Sequence, residues 1–168
     1  MSNRRLIVAI TLFVLASACA RASLQDRIVV ADGSPFAFNE GTLNIKFDGS
    51  SFIIVSTNSK TLSIPARTPA TVLMSPDRQF MVLNFGDGSG QVLDLEAYDL
   101  RSLRQISVLA FKANVVSATK AGRCDIRDDE ISYVASDWRK ENELRVKTEN
   151  WSRRAPCAAL DRGWILSL

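Results

Sequence analysis

The chain has 168 residues, 46% apolar and 23% charged, with 21 basic side chains against 18 acidic ones. That length and apolar content suit a single domain with a sizeable core. It contains no histidine, which excludes a Ser–His–Asp or Cys–His catalytic set, His-bearing zinc sites and an imidazole acid–base shuttle, so neither enzymatic activity nor a cofactor is expected.

The chain opens with Arg4 and Arg5, an apolar run from Leu6 to Leu15 and the small-residue box Ala18-Cys19-Ala20. This is the three-part order of a secretory signal peptide, and it assigns residues 1–20 to a leader that is removed. A retained anchor would need about 20 apolar residues, and small or polar ones begin at Ala16. The stretch Leu15 to Cys19 resembles a bacterial lipobox, which makes Cys19 a candidate for lipidation and the protein a candidate lipoprotein, although Ala16 stands where such boxes carry Leu. The segment Asn3 to Val8 resembles a twin-arginine export signal, but its short basic region favours ordinary unfolded export. Cleavage after Ala20 takes 20 of the 168 residues and two of the 21 basic ones, leaving 148 residues with net charge +1. Residues 21–26 read as a flexible lead-in, and residues 27–168 as a single β-rich domain.

Turn signals then arrive every dozen or so residues. Asp-Gly-Ser occurs at Asp32, Asp48 and Asp87, and Asp-Gly favours tight turns because glycine tolerates positive φ. The order is wrong for an aspartic-protease signature. Between the turns, β-branched and aromatic residues alternate with polar ones, which predicts half-buried strands. The expected strands are Arg27 to Ala31, Thr42 to Phe47, Phe52 to Ser56, Thr61 to Pro65, Ala70 to Met74, Gln79 to Phe85, Gln91 to Tyr98, Ile106 to Lys112, Glu130 to Trp138, Glu143 to Thr148 and Trp164 to Leu168. A helical turn is expected at Asp99 to Leu103 and another at Ala155 to Leu160, with no sustained helix. The expected class is mainly β: an antiparallel sandwich or a curled meander of hairpins, with one disulfide.

One hairpin phrase recurs: an aromatic residue, a short strand, a polar turn and an alternating return strand, starting at Phe52, Phe80 and Tyr133. Within it, Ser75-Pro76-Asp77 followed by an apolar strand, and Leu95 to Leu100 on the return, resembles one blade of a TolB or WD-type β-propeller. The resemblance covers Ser75 to Leu100 only. A closed propeller needs four or more blades of about 40 residues each, more than the 148 residues left after leader removal can supply. The tip Asn84 to Glu96 fails as an EF-hand because Phe85 stands where the first carboxylate belongs, and its glycines lack the lysine and helix of a phosphate loop.

With Cys19 gone, Cys124 and Cys157 form an even pair in an oxidising compartment and read as a disulfide. Closing that loop would stabilise by roughly 3–4 kcal/mol in the chain-entropy account. Two reduced buried thiols are the rival reading, and two cysteines without histidine make only half a zinc site. Acidic residues gather at Asp125, Asp128, Asp129 and Glu130. They are candidate calcium ligands or a glycoside-cleaving pair, set against a charged loop neutralised by Arg123 and Arg127; no metal is assigned.

Late in the chain, Trp138, Arg139, Lys140, Trp151, Arg153 and Arg154 form a candidate partner surface. Glu141, Glu143 and Glu149 interleave with these cations, so nucleic acid is not the expected partner. In Glu143 to Thr148, plain alternation places Leu144, Val146 and Thr148 on one face. Trp138, Trp151 and Trp164 recur every 13 residues and are expected chiefly as core. The functional expectation is an exported periplasmic β-rich binding protein whose partner is another envelope or secreted protein, with no transmembrane segment after processing. The alternative is a calcium- or carbohydrate-binding protein that uses the acidic loop and the tryptophans.

Overall fold

The structure, a computed structural model, describes residues 27–31, 33–49, 52–67, 69–86, 93–124, 126–150, 157, 159–160 and 162–168. The leader, the lead-in, Cys19, the Asp87 turn, Trp151, Arg153, Arg154, Asp125 and the Asp128 side chain lie outside the described residues.

Twelve strands, one α-helix and a short 3-10 turn (Asp128–Glu130) are formed by the described residues: β1 (Arg27–Val30), β2 (Phe36–Glu40), β3 (Leu43–Phe47), β4 (Phe52–Thr57), β5 (Lys60–Pro65), β6 (Ala70–Met74), β7 (Phe80–Gly86), β8 (Leu93–Asp99), β9 (Arg104–Ile106), α1 (Leu109–Ala121), β10 (Ile131–Lys140), β11 (Glu143–Asn150) and β12 (Trp164–Ser167). They make three antiparallel sheets: a central one in the order β1-β6-β7-β8-β9, a meander β2-β3-β4-β5 and a C-terminal sheet β10-β11-β12. The class is thus mainly β, antiparallel and single-domain, and the three hairpin phrases supply one hairpin to each sheet.

The central sheet is buried on both faces. Val72, Met74, Met81, Leu83 and Tyr98 pack with Leu43, Ile45, Phe47, Ile53 and Val55 of the meander in a first core. From the other face, Leu73, Val82, Leu95 and Ala97 pack with Val115 of α1 and with Ile131, Ala135, Leu144 and Val146 in a second core. This explains the sequence of β7: residues 81–85 are all buried, so alternation gives way to an apolar run that only the hydrogen-bonded Asn84 interrupts. In β3 and β11 only one face is covered, and alternation persists, with Leu144, Val146 and Thr148 inward and Arg145 and Lys147 outward.

Turn chemistry fixes the hairpins. Gly49 has φ +92°, and a Cβ there would lie 3.4 Å from the Pro35 ring. Its carbonyl accepts from Gly33 N–H at 2.8 Å, so the first two Asp-Gly turns are joined to each other. In the turn before β7, buried Ser75 donates to Asp77 Oδ1 at 2.7 Å and accepts from Gln79 N–H at 3.1 Å and Phe80 N–H at 2.9 Å. The Ser-Pro-Asp phrase is therefore a self-contained turn that satisfies its own backbone donors.

Two expectations are corrected. Ile106 to Lys112 is not a strand: β9 ends at Ile106, and the 13-residue helix α1 starts at Leu109. Its Ala, Leu and Lys content favours helix, and burying Val115, Val116 and Thr119 on the second core anchors it. Asp99 to Leu103 is a turn rather than a helical one, with Asp99 Oδ1 accepting from Arg101 N–H at 2.8 Å. Short β2 was not anticipated; half-buried Phe36 and Phe38 seal the first core.

Cys124 and Cys157 are joined, with Cα atoms 5.8 Å apart. The bridge ties the segment after α1 to the chain leading into β12, and buried Cys157 is part of the second core.

Candidate functional site

The residues singled out from the sequence divide in two. Arg139 and Lys140 are exposed at the end of β10, and carboxylates pair with Lys140 and with Arg145 of β11 but not with Arg139 among the described residues. Lys140 Nζ lies 2.9 Å from Glu143 Oε1, and Arg145 Nη1 lies 3.5 Å from Asp137 Oδ2. Trp138 is half-buried against the second core, as is Trp164, whose Nε1 donates to Thr148 Oγ1 at 3.1 Å. Neither ring forms an open platform. In the acidic loop, exposed Asp129 lies 3.3 Å from Arg127 Nε. Glu130 is 2% exposed, and its Oε2 accepts from Arg127 N–H at 3.0 Å. Both carboxylates thus lie against Arg127, with Glu130 Oε1 3.8 Å from the same Nε.

A β-bulge places Trp138. Ala135 pairs with Val146 and Asp137 with Arg145, leaving Ser136 as the extra residue. Its hydroxyl sits 3.1 Å from Arg145 O and 2.8 Å from Asp137 Oδ1. Without the bulge, plain alternation after Ala135 would turn Asp137 inward and Trp138 outward.

Sequence reasoning missed a cleft of about 750 Å³ between α1, the ends of β7 and β8, and the start of β10. One face of α1 makes a wall: Leu109, Lys112, Ala113, Val116, Ser117 and Lys120 follow the i, i+3, i+4 spacing of a helix surface. Phe85 and Ile131, both nearly buried, contribute apolar floor. Leu109, 73% exposed, stands at the rim.

The charges of the cleft are unevenly answered. Lys112 Nζ contacts Asp94 Oδ1 and lies 5.4 Å from the Tyr133 ring centre. Arg67, exposed on the β5–β6 connection, lays its guanidinium 4.7 Å from the Phe85 ring centre. Lys120 is exposed in the last turn of α1. Among the described residues neither Arg67 nor Lys120 has a carboxylate in ion-pair reach. The helical spacing of 109, 112, 113, 116, 117 and 120 was the signal that could have found this wall, had the segment been read as helix.

Beneath the cleft, buried Asn84 binds the central sheet to β10. Its Nδ2 donates to Asp94 O and Tyr133 O, both at 2.7 Å, and its Oδ1 accepts from Ala135 N–H at 3.1 Å. Leu93 N–H donates to Ser132 Oγ at 3.1 Å. These bonds hold β8 and β10, two walls of the cleft, at a fixed separation.

Fold and site together define a mainly β, disulfide-bridged domain of three antiparallel sheets with a cationic, apolar-floored cleft along its one described helix. Comparison with known proteins returns no matching family model, and no curated protein or solved structure is significantly similar to the chain. No helix among the described residues is long and apolar enough to cross a membrane.

Proposed function

We propose that this is an exported, non-enzymatic binding module that engages its partner in the cleft along α1. The observation that carries the reading is the cleft itself, which sets Arg67 and Lys120 beside apolar side chains in a concavity. Lys140 and Arg145 of the β10–β11 hairpin have carboxylate partners in Glu143 and Asp137, and Arg139 and Lys147, on an open strand surface, have none among the described residues. Arg67 and Lys120, also without a carboxylate partner among the described residues, instead line a concavity of about 750 Å³. Concave, mostly apolar sites with a few placed polar groups are where ligands bind. Export is supported by the tripartite leader of residues 1–20 and is compatible with the Cys124–Cys157 bridge. The absence of histidine in the sequence supports a binding role over hydrolysis.

Site-directed photo-cross-linking tests the surface. With p-benzoylphenylalanine in place of Ala113, on the cleft wall, irradiation of exporting cells is expected to give a discrete adduct by intact-protein mass spectrometry. The same probe in place of Lys46, exposed on β3, is expected to give none. Equal adducts at both positions, or adducts at 46 alone, would sink the assignment.

A further inference from the structure

The shape and charge of the cleft specify a kind of ligand, an inference that rests on the cleft being the binding surface. Arg67 holds its guanidinium carbon 4.7 Å from the Phe85 ring centre. A guanidinium drawn to a ring face still has N–H donors to offer, and the edge that carries them matches the two oxygens of a carboxylate or sulfonate. Phe85 is 5% exposed, so the contact gives Arg67 a firm seat. Lys120 adds positive charge from the last turn of α1, where the helix carbonyls partly offset it. Lys112 is already neutralised by Asp94 and adds little net field. The anion-attracting groups are therefore Arg67 first and Lys120 second.

The remaining lining holds Ser117, Tyr133 and Asp129, whose carboxylate lies 3.3 Å from Arg127 Nε, and is otherwise apolar. Ala113 and Val116 continue along the α1 wall from Leu109, and Ile131 lies opposite on β10. Leu109 is 73% exposed, apolar area that an apolar ligand body would withdraw from water. A cleft of about 750 Å³ falls within the range of roughly 300–1,000 Å³ that holds small ligands. We infer that the cleft binds a small amphipathic anion, with its carboxylate-like head on the Arg67 edge and its apolar body along Leu109, Ala113 and Val116. A free fatty or aromatic acid and the head of an anionic lipid share that chemistry.

The test uses the full exported chain in its oxidised form. The fluorescent probe 8-anilinonaphthalene-1-sulfonate is expected to bind at one site and to be displaced by dodecanoate but not by dodecanol or dodecylammonium. Arg67→Gln is expected to weaken probe binding at least 10-fold and Lys120→Gln about 3-fold, with near-ultraviolet circular dichroism unchanged because both side chains are exposed. Arg139→Gln, on the β10–β11 hairpin and outside the cleft lining, is expected to bind as the parent does. Phosphatidylglycerol vesicles separate the sources: displacement by dodecanoate alone assigns a free amphiphile, and displacement by both assigns a lipid head group. Equal displacement by dodecanol, or parental affinity in the Arg67→Gln/Lys120→Gln double variant, would overturn the inference. If the probe fails to bind while Ala113 still forms its photo-adduct, the ligand class falls and the cleft assignment stands; if both fail, both fall.

Discussion

Asn84 is the residue on which the two halves of the second core depend. It sits at 7% exposure between β7 and β10 and makes three hydrogen bonds to backbone atoms of β8 and β10. Replacing it with leucine fills the space but strands buried backbone groups, and a stranded group costs about 1–3 kcal/mol. Asn84→Leu is therefore expected to lower unfolding free energy by about 3 kcal/mol, read from the urea midpoint at constant slope. An effect below about 1 kcal/mol would mean that these bonds are readily replaced. Asp99 carries a pH signature. Burial raises its pKa, but the hydrogen bonds from the Ser102 hydroxyl and from the Arg101 and Ser102 N–H groups outweigh that and hold it below the ordinary carboxylate value. A depressed folded pKa contributes stability that is present above the unfolded value, about 3.9, and is lost as pH falls through the lower folded value. Asp99→Asn should flatten the acid limb of melting temperature against pH below about pH 4; an unaltered limb would count against the turn as an acid-labile point. Tyr98 has the opposite sense. Burial, and then its 2.5 Å hydrogen bond to Glu96, raise its phenol well above the ordinary value. Its contribution is complete below about pH 10 and fades as pH climbs through the folded value.

Among the elements, β10 shows how an irregularity can preserve a pattern. Because Ser136 is the extra residue of the bulge, removing it leaves Ala135 inward, Asp137 outward and Trp138 inward. Deleting Ser136 is expected to cost no more than about 1–2 kcal/mol and to leave tryptophan emission blue-shifted. Deleting Val134 instead inverts Ile131 and Tyr133 relative to the core, and a one-residue slip exposes a whole apolar face; that variant is expected not to fold. Equal losses of melting temperature in both deletions would refute the bulge as the element that sets the register. The same contrast explains what could be read from the sequence. Strands covered on one face announce themselves by alternation, as Leu43, Ile45 and Phe47 do. Their limits follow from turn residues such as Gly49 and Asn58. The helix α1 carries no such announcement. Val108 at its N-cap supplies no side-chain hydrogen bond, no acid stands in its first turn, and the buried Val115 and Val116 are adjacent β-branched residues that suit a strand equally well. The cleft was hidden for the same cause, since its wall exists only when residues 109–120 wind into a helix. Its other members, Arg67, Phe85, Asp94 and Tyr133, come from distant segments that only tertiary folding assembles.

At the level of the whole molecule, the two cores share one sheet, and this decides how the domain comes apart. The strands β6, β7 and β8 send side chains into both: Met81 and Leu83 to the meander side, Val82 and Leu95 to the helix side. Neither core can lose its partner layer without exposing a face of the central sheet, so both should melt in one transition. Ile53→Ala, in the first core, and Leu144→Ala, in the second, are each expected to lower stability by about 2–5 kcal/mol, the range for emptying a buried aliphatic site. Both should move the same calorimetric peak without splitting it. The Cys124–Cys157 bridge acts on that peak through the unfolded chain. It closes a loop spanning β10 and β11, with a sequence separation of 33, and such a loop limits the unfolded ensemble by roughly 3–4 kcal/mol in the chain-entropy account. The double variant Cys124→Ala/Cys157→Ala should therefore melt lower but still in a single step, and the oxidised parent should lose a similar amount on reduction. A first endotherm that appears only in the reduced protein, with loss of α1 helicity ahead of the sheets, would show that the bridge holds a separable C-terminal layer on the central sheet.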